Sequence, residues 1–503
     1  MGILILIIYW LGWHMGIYSM LLKAGVNKTK AIIPIYNTWE VVKLCGIPRI
    51  WFWLQLVPIL GQFVSLWISI IFAMHFKKVN LIDHSLTVFF PFIYLPYLGF
   101  SSKEKWYGDE ALVHYHKPAS REWIDAGVFA IVAATLIRTF LFEAYVIPTE
   151  SMEKTLLVND FLFVDKITYG ARIPQTPLSF PFVHNTLPLA PTTPSYVKWV
   201  QLDYQRLPKL RNINRNDVVV FNFPAGDTII NLPEFGSKFP YYDVLRTPEY
   251  NNNREKLMAD YPILVHPMDK TDNYIKRCVG LPGDVVQVKD SRLWVNHSPA
   301  LVAPSAQTEY IVVTDGKPIP ESFIEDTMGI NINEATADFK IMEGRPNTFV
   351  INMTAGAAAS LQKLPQVKEV SFYVDNIVGN TFPNDIAHAP WSVDNYGAIQ
   401  IPKKGDIIQL NDSTIEIYRR LITNYEHNSL EKQNGQFYIN GKPTNTYTVQ
   451  LNYYWMMGDN RHRSQDSRYW GFVPETHIVG RAALIWFSYN KSIRWNRLFN
   501  LIK

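Results

Sequence analysis

Three short stretches of the sequence carry residue types that could together cleave an acyl bond. The first, Ile147-Pro148-Thr149-Glu150-Ser151-Met152, sets a serine in a turn. Most serines in such turns only hydrogen-bond local backbone, so this one gains meaning from what lies elsewhere. The second, Tyr274-Ile275-Lys276-Arg277-Cys278-Val279-Gly280-Leu281-Pro282-Gly283-Asp284, places a lysine in an apolar strand that runs into a tight turn. A strand lysine commonly snorkels or pairs with an acid. If burial instead lowers its pKa, the neutral amine can take the proton of a serine hydroxyl and make it a nucleophile. The third stretch, Tyr454 to Gly471, crowds Gly458, Asp459, His462, Ser464, Asp466 and Arg468 into one loop. Asp459, His462 and Asp466 could contribute to a metal site, but no second histidine lies at ligand spacing. An Asp466–Arg468 ion pair that holds the loop is the favoured reading, and the chemistry calls for neither a metal nor an organic cofactor.

The remaining sequence must bring these stretches together. At 503 residues the chain amounts to about three domain-sized units. Apolar residues make up 48% and charged residues 18%, which excludes disorder and allows some segments to sit in lipid. Four segments are apolar enough to consider: Ile3 to Leu22, Trp51 to Phe76, Ser85 to Phe100 with Pro91 and Pro96, and Trp123 to Tyr145. The first has no basic start and no small-residue cleavage site, so it reads as permanent and not as a removed leader. If all four span, Lys23–Arg49 and Lys103–Arg121 share one side with nine basic residues, against Lys77 and Lys78 on the other. The positive-inside rule then puts the N-terminus and everything after Tyr145 outside the cytoplasm, whereas a three-span arrangement reverses the first half. Residues 1–100 sum to +5 and the whole chain to +4, so the remainder is near neutral and carries no footprint for nucleic acid. With two cysteines, Cys45 and Cys278, a disulfide framework and a cysteine-built zinc site are both excluded.

Beyond residue 146 the texture changes to short β-rich runs divided by Pro, Gly and Asn: Phe161–Lys166, Asp217–Phe223, Asp284–Lys289, Arg292–Asn296, Gln436–Asn440 and Tyr447–Met456. Such runs predict an antiparallel β domain. Arg292–Pro299 and Gln436–Pro443 each read as a strand entering an Asn-centred turn, and Ile173–Pro208 as an extended Pro-rich loop. The expected architecture is therefore N-terminal transmembrane α-helices followed by a mainly antiparallel β catalytic domain with a large inserted accessory region. Its divisions are a membrane region at 1–122, an anchor at 123–145, the β-rich catalytic domain at 146–298 and 436–503, and the insertion at 299–435.

Taken in order, the three chemical stretches resemble the motif boxes of bacterial type I signal peptidase, a membrane-anchored Ser/Lys endopeptidase. An apolar segment that ends just before the serine, and the strand Asp217-Val218-Val219-Val220-Phe221, add to the likeness. It covers about a third of the chain, residues 124–172, 213–224, 272–297 and 436–488. The resemblance implies Ser151 as nucleophile, Lys276 as general base and Ser464 as the hydroxyl that orients the lysine. It implies an oxyanion hole made of the Ser151 backbone N–H and the Thr149 hydroxyl. Tyr145, Ile147, Met152, Leu156, Leu162, Tyr274 and Ile275 match positions that line shallow apolar pockets for small side chains, typically alanine, one and three residues before the cut. Arg277, Gly458, Asp459, Asp466 and Arg468 match residues that support the site. The implied partners are exported preproteins with signal peptides, membrane lipid and the protein export machinery, and the implied place is the bacterial cytoplasmic membrane, multi-pass, with the catalytic domain on the non-cytoplasmic side.

This chain departs from the family pattern at Lys154, where proline is common, at His462-Arg463, where Asp-Asn is common, and at Asn216, which stands where a glycine usually precedes the aspartate. None of these replaces a reacting group. A similar Lys404-Gly405-Asp406-Ile407-Ile408 run echoes the Asp217 strand, but Asp217 precedes Lys276 in the expected order. A soluble self-cleaving repressor would share the dyad but should carry a DNA-binding module, which the sequence lacks. A silent membrane-anchored scaffold or chaperone would have no reason to keep Ser151, Lys276 and Ser464 together.

Overall fold

The computed structural model describes residues 2–57, 60–113, 115–224, 228–232, 235, 239–251, 253–330 and 338–503. Pro58 and Ile59, inside the second apolar segment, and residues 331–337, inside the expected insertion, lie outside it. Two compact units emerge: residues 1–137 with 176–202, and residues 138–175 with 203–503.

The first unit is helical. Helix α1 (Gly2–Lys23) carries the first apolar segment, and the second divides into a short Ile50–Leu54 helix and a longer Leu60–Met74 helix, α2. Ser85–Phe100 falls on α3 (Leu81–Phe89) and α4 (Pro91–Phe100), which bend by 117°, as expected where proline removes a backbone donor. Helix α1 lies against α4 because Gly12 and Gly16 are bare: a Cβ on Gly16 would come within 2.4 Å of Leu95 Cβ. The last helix, α5 (Ala119–Phe140), is long and apolar enough to cross a membrane.

The anchor ends earlier than the sequence suggests. Phe142–Val146 forms strand β1, not the end of a helix, and pairs with β2 (Asp160–Asp165) in the register Tyr145↔Leu162. The cause lies at Glu143, which turns into the protein to meet Arg138 Nε at 2.5 Å and Lys166 Nζ at 2.8 Å. Burial alone would raise the Glu143 pKa, but the two cations hold it down to about 2.

The catalytic sheet of the second unit is built from distant strands. Beyond β1 and β2 it uses β3 (Val218–Asn222), β4 (Asn273–Gly280), β11 (Tyr453–Met457), β12 (Val473–Pro474) and the long β13 (Ile478–Asn490). The order is β1-β2-β13-β3-β4-β11-β12, and every pairing is antiparallel. Asp217, not Asp406, heads the strand beside the lysine, since Lys276 pairs with Val219. The expected Tyr447–Met456 strand is two, Thr446–Thr448 and β11. Both Asn-centred turns are present: Asn296 and Asn440 have φ of 52° and 49° and join hairpin strands, a conformation asparagine tolerates.

Residues 299–435 do not form one body. Strands β6 (Gln307–Thr314), β7 (Phe339–Ile341), β8 (Thr348–Thr354) and β9 (Val367–Phe372) make a separate sheet, in the order β7-β8-β6-β9, with its own core around Val312, Ile351, Met353 and Leu361. The chain then returns before residue 436: β10 (Tyr396–Gln400) pairs with the Val285–Lys289 strand, and Ile399, Ile401, Leu410 and Ile422 share a core with Val286, Phe437 and Trp455.

Candidate active site

Ser151 sits on a single 3₁₀ turn, Glu150–Met152, directly after β1, and Lys276 sits on β4. They meet across 125 residues of sequence: Lys276 Nζ lies 2.7 Å from Ser151 Oγ, and it donates to the Ile275 carbonyl at 3.1 Å. Both side chains are buried, with 6% and 3% of their surfaces exposed. Burial lowers the Lys276 pKa from 10.5 to about 8, even though the carboxylates of Asp466 and Asp459 act to raise it. Desolvation disfavours the ammonium form, which is what a lysine base requires. Thr149 Oγ1 stands 3.4 Å from Ser151 Oγ, at the open side of the turn.

The expected pocket residues separate. Tyr145, Ile147, Met152, Leu156, Leu162 and Ile275 fall in one apolar cluster with Val164, Val218 and Val220. Within it Ile147, Met152, Leu156 and Leu162 are buried, while Tyr145 and Ile275 keep accessible surface. Tyr274 belongs to the other face of β4, stacked 4.8 Å from Phe223 and edge-on to Trp470 at 5.3 Å, with Lys276 Nζ 5.5 Å above its ring. Alternation along a strand puts 274 and 276 on one side and 275 on the other, so Tyr274 walls the lysine and not the apolar cluster.

The Gly458–Gly471 loop closes behind the dyad. Asp459, fully buried, takes a two-pronged contact from Arg277 (Nε to Oδ1 2.8 Å, Nη2 to Oδ2 2.7 Å) and accepts from Thr155 Oγ1 at 2.5 Å. Asp466 accepts from Arg468 Nε and Nη2, both at 2.9 Å, and from the Gly458 N–H at 3.1 Å. Burial would raise the Asp466 pKa; the Arg468 charge reverses that and keeps it ionised. His462 Nε2 donates to the Asp394 carboxylate at 2.8 Å, and its Nδ1 accepts the Glu309 N–H at 3.1 Å. The three side chains weighed as metal ligands are thus each committed to a different partner.

Ser464 differs from expectation. Its Oγ is buried without a hydrogen-bond partner, so the bond to Lys276 is not made here. Gly458 explains the closeness of the parts: a Cβ there would sit 2.2 Å from Ser464 Oγ and 2.6 Å from the Ser151 carbonyl oxygen. Gly458→Ala is expected to push the loop off the serine turn and cut the cleavage rate at least tenfold with little change in KM, in steady-state assays; an unchanged rate would refute the close contact.

Sequence reasoning passed over the residues that join the separate sheet to this loop. Gln307 N–H donates to the Asp459 carbonyl at 2.7 Å, and Asn352 Nδ2 donates to Asn460 Oδ1 at 3.1 Å. No local pattern marks them, because their partners lie more than 100 residues away.

A buried serine against a lysine of lowered basicity, on an antiparallel β domain behind an apolar helix, defines a serine hydrolase of the lysine-dyad class. The chain belongs to the signal peptidase, peptidase S26 family, whose model matches residues 120–356 and 399–487. As a member it is a serine endopeptidase that acts on signal peptides. It is 25% identical over 378 residues to the signal peptidase I of Buchnera aphidicola (subsp. Acyrthosiphon pisum), covering 73% of this chain and 77% of that one. To that of Haemophilus influenzae it is 26% identical over 388 residues, 75% of each chain. A 42-residue stretch is 55% identical to the signal peptidase I of Aquifex aeolicus, 8% of this chain and 16% of that one. Residues 29–109 match a separate family of unknown function, DUF5684.

Proposed function

We propose that Ser151 and Lys276 cleave N-terminal signal peptides from exported preproteins after a small residue. The observation that carries this reading is the 2.7 Å approach of Lys276 Nζ to Ser151 Oγ in a buried site. Neutral Lys276 takes the Ser151 proton as Oγ bonds to the scissile carbonyl carbon. The oxyanion that forms is met by the Ser151 N–H and the Thr149 hydroxyl. Collapse breaks the C–N bond, and Lys276 returns the proton to the departing amine of the mature protein. Water then attacks the acyl ester and gives a proton to Lys276; as the C–Oγ bond breaks to free the signal peptide, Lys276 hands that proton to Oγ, which restores both the serine hydroxyl and the neutral amine.

Tyr145 and Ile275, the accessible members of the apolar cluster, are the surfaces against which small side chains of the substrate pack. Their size favours alanine. The enzyme works as a multi-pass protein of the bacterial cytoplasmic membrane, with everything after Tyr145 on the non-cytoplasmic side. The asymmetry of basic residues around the apolar segments supports this placement. Membrane lipid and the export machinery are its surroundings there, and a substrate held by its own apolar segment meets the site with much of its orientation already fixed.

The test is cleavage of a preprotein with an Ala-x-Ala site by the purified full-length chain in detergent. The intact chain should cut after the second alanine, and Ser151→Ala should leave no product. Cutting by Ser151→Ala at the parent rate would remove the serine from the mechanism.

A further inference from the structure

Among the contacts between the separate sheet β6–β9 and the catalytic loop, one runs through a line of buried amides to the serine turn. Asn352 on β8 is 1% exposed, and Asn460, next to Asp459 in the catalytic loop, is 0% exposed. Asn352 Nδ2 faces two oxygens: Asp338 Oδ1 at 3.1 Å and Asn460 Oδ1 at 3.1 Å. One of these is a carboxylate, which can only accept, so the Asn352 amide must turn its nitrogen this way. Asn460 is then forced in turn: with its oxygen committed to Asn352, its own Nδ2 points at the Glu150 carbonyl, 3.2 Å away, and at Glu153 Oε2, 3.4 Å away. The Asn460 backbone N–H adds a second hold on the same turn, donating to the Ser151 carbonyl at 3.1 Å.

The Glu150 carbonyl is half of the peptide unit whose other half is the Ser151 N–H. That unit is trans, so C=O and N–H point in opposite directions within one plane. Fixing the carbonyl oxygen fixes the direction of the N–H. We propose that Asn352 is a positioning residue for the cleavage reaction: through Asn460 it sets the Glu150–Ser151 peptide so that the Ser151 N–H faces the developing oxyanion. This deepens the function proposed above and rests on it, since it takes the Ser151 N–H as the oxyanion donor.

The sheet is therefore part of the machinery and not an appendage. A donor aimed at charge that appears only in the transition state acts on kcat and leaves ground-state binding nearly alone. Asn352→Leu keeps the branched outline of the side chain and removes the donor; both acceptors lose it and Asn460 is free to turn over.

The experiment measures kcat and KM for the full-length chain in detergent on the same preprotein, with the parent, Asn352→Leu, Asn460→Ala, the pair combined, and Ser151→Ala. The milder Asn352→Ser, whose hydroxyl can still serve one acceptor, covers the case in which the leucine variant does not fold. The expected result is a fall in kcat of about tenfold or more for Asn352→Leu and a smaller fall for Asn352→Ser, with KM within about twofold. The acidic limb of the pH profile should not move, because the lysine is untouched. The combined variant should be no slower than Asn460→Ala alone, since both act on one peptide. Retention of the parent kcat by folded Asn352→Leu or Asn352→Ser, or losses that multiply with that of Asn460→Ala, would overturn the proposal. Failure of the underlying reading shows separately, as activity in Ser151→Ala or none in the parent.

Discussion

Lys276→Met is expected to abolish cleavage and, at the same time, to stabilise the protein at neutral pH. The amine titrates near 8 in the folded protein against 10.5 for an exposed lysine. At pH 7 about a tenth of the folded molecules then hold the neutral base, compared with fewer than one in a thousand for an unperturbed lysine. Cleavage should therefore rise about tenfold per pH unit below 8 and level off above it. The stability effect has the opposite direction. A base whose folded pKa is depressed loses stability as pH falls from the unfolded value toward the folded one, and below about 8 the full penalty of about 3 kcal/mol is present. Methionine removes that penalty, so chemical unfolding at pH 7 should show Lys276→Met more stable than the parent by up to about that amount, and the advantage should vanish above pH 10.5. A variant that is inactive but no more stable at pH 7 would mean that the lysine is not held in a desolvated state.

Arg277→Met should have the largest destabilising effect of any single change near the site. It strands the Asp459 carboxylate, which is fully buried and otherwise receives only the Thr155 hydroxyl from a side chain at ordinary bond length. Breaking a buried pair from one side typically costs about 3–5 kcal/mol. Arg277 also donates from Nη1 to the Asn216 carbonyl at 2.7 Å, so the lead into β3 loosens with it. The paired variant Arg277→Met with Asp459→Asn should recover part of the stability, because no charge is left stranded, but little of the rate, because Asp459 also ties the serine turn through Thr155. Urea unfolding and cleavage assays on the three variants check this; equal stability of Arg277→Met and the parent would contradict it.

The reacting parts were legible because they are local. A Lys-Arg strand before Leu-Pro-Gly-Asp, and Gly-Asp followed by Asp-Ser-Arg, announce their charges and turns within a dozen residues, and Asp466 pairs with Arg468 as expected, whereas the pairing of Arg277 with Asp459, 182 residues apart, was not foreseen. Phe142–Val146 was misread because Phe, Tyr and Val suit lipid and a half-buried strand equally well, and only the partners of Glu143 decide between them. Tyr274 was misassigned by one step of strand alternation. The role of β6–β9 could not be seen at all. Gln307 and Asn352 are ordinary residues in the sequence, and they acquire meaning only when β6 and β8 bring them against a loop more than 100 residues farther on.

The strand order has a consequence for how the enzyme comes into being. Strand β2 pairs with β13, so that Asp165 stands opposite Arg481, while the ladders of β6–β9 lie within residues 307–372, apart from one bridge from Gln307 to Asn460. Contacts between distant residues form late, and local ones early. On the ribosome the separate sheet can fold while its neighbours are still being made, but the sheet that joins serine to lysine must wait for the residues near 481. At about 5–20 residues per second, the roughly hundred residues between the two events take on the order of ten seconds. During that interval the serine, between the paired β1 and β2, and the lysine, on β4 beside β3, lack the strand that joins the two pairs. A serine and a lysine that meet only when β13 joins their two strand pairs cannot cleave before that strand is in place.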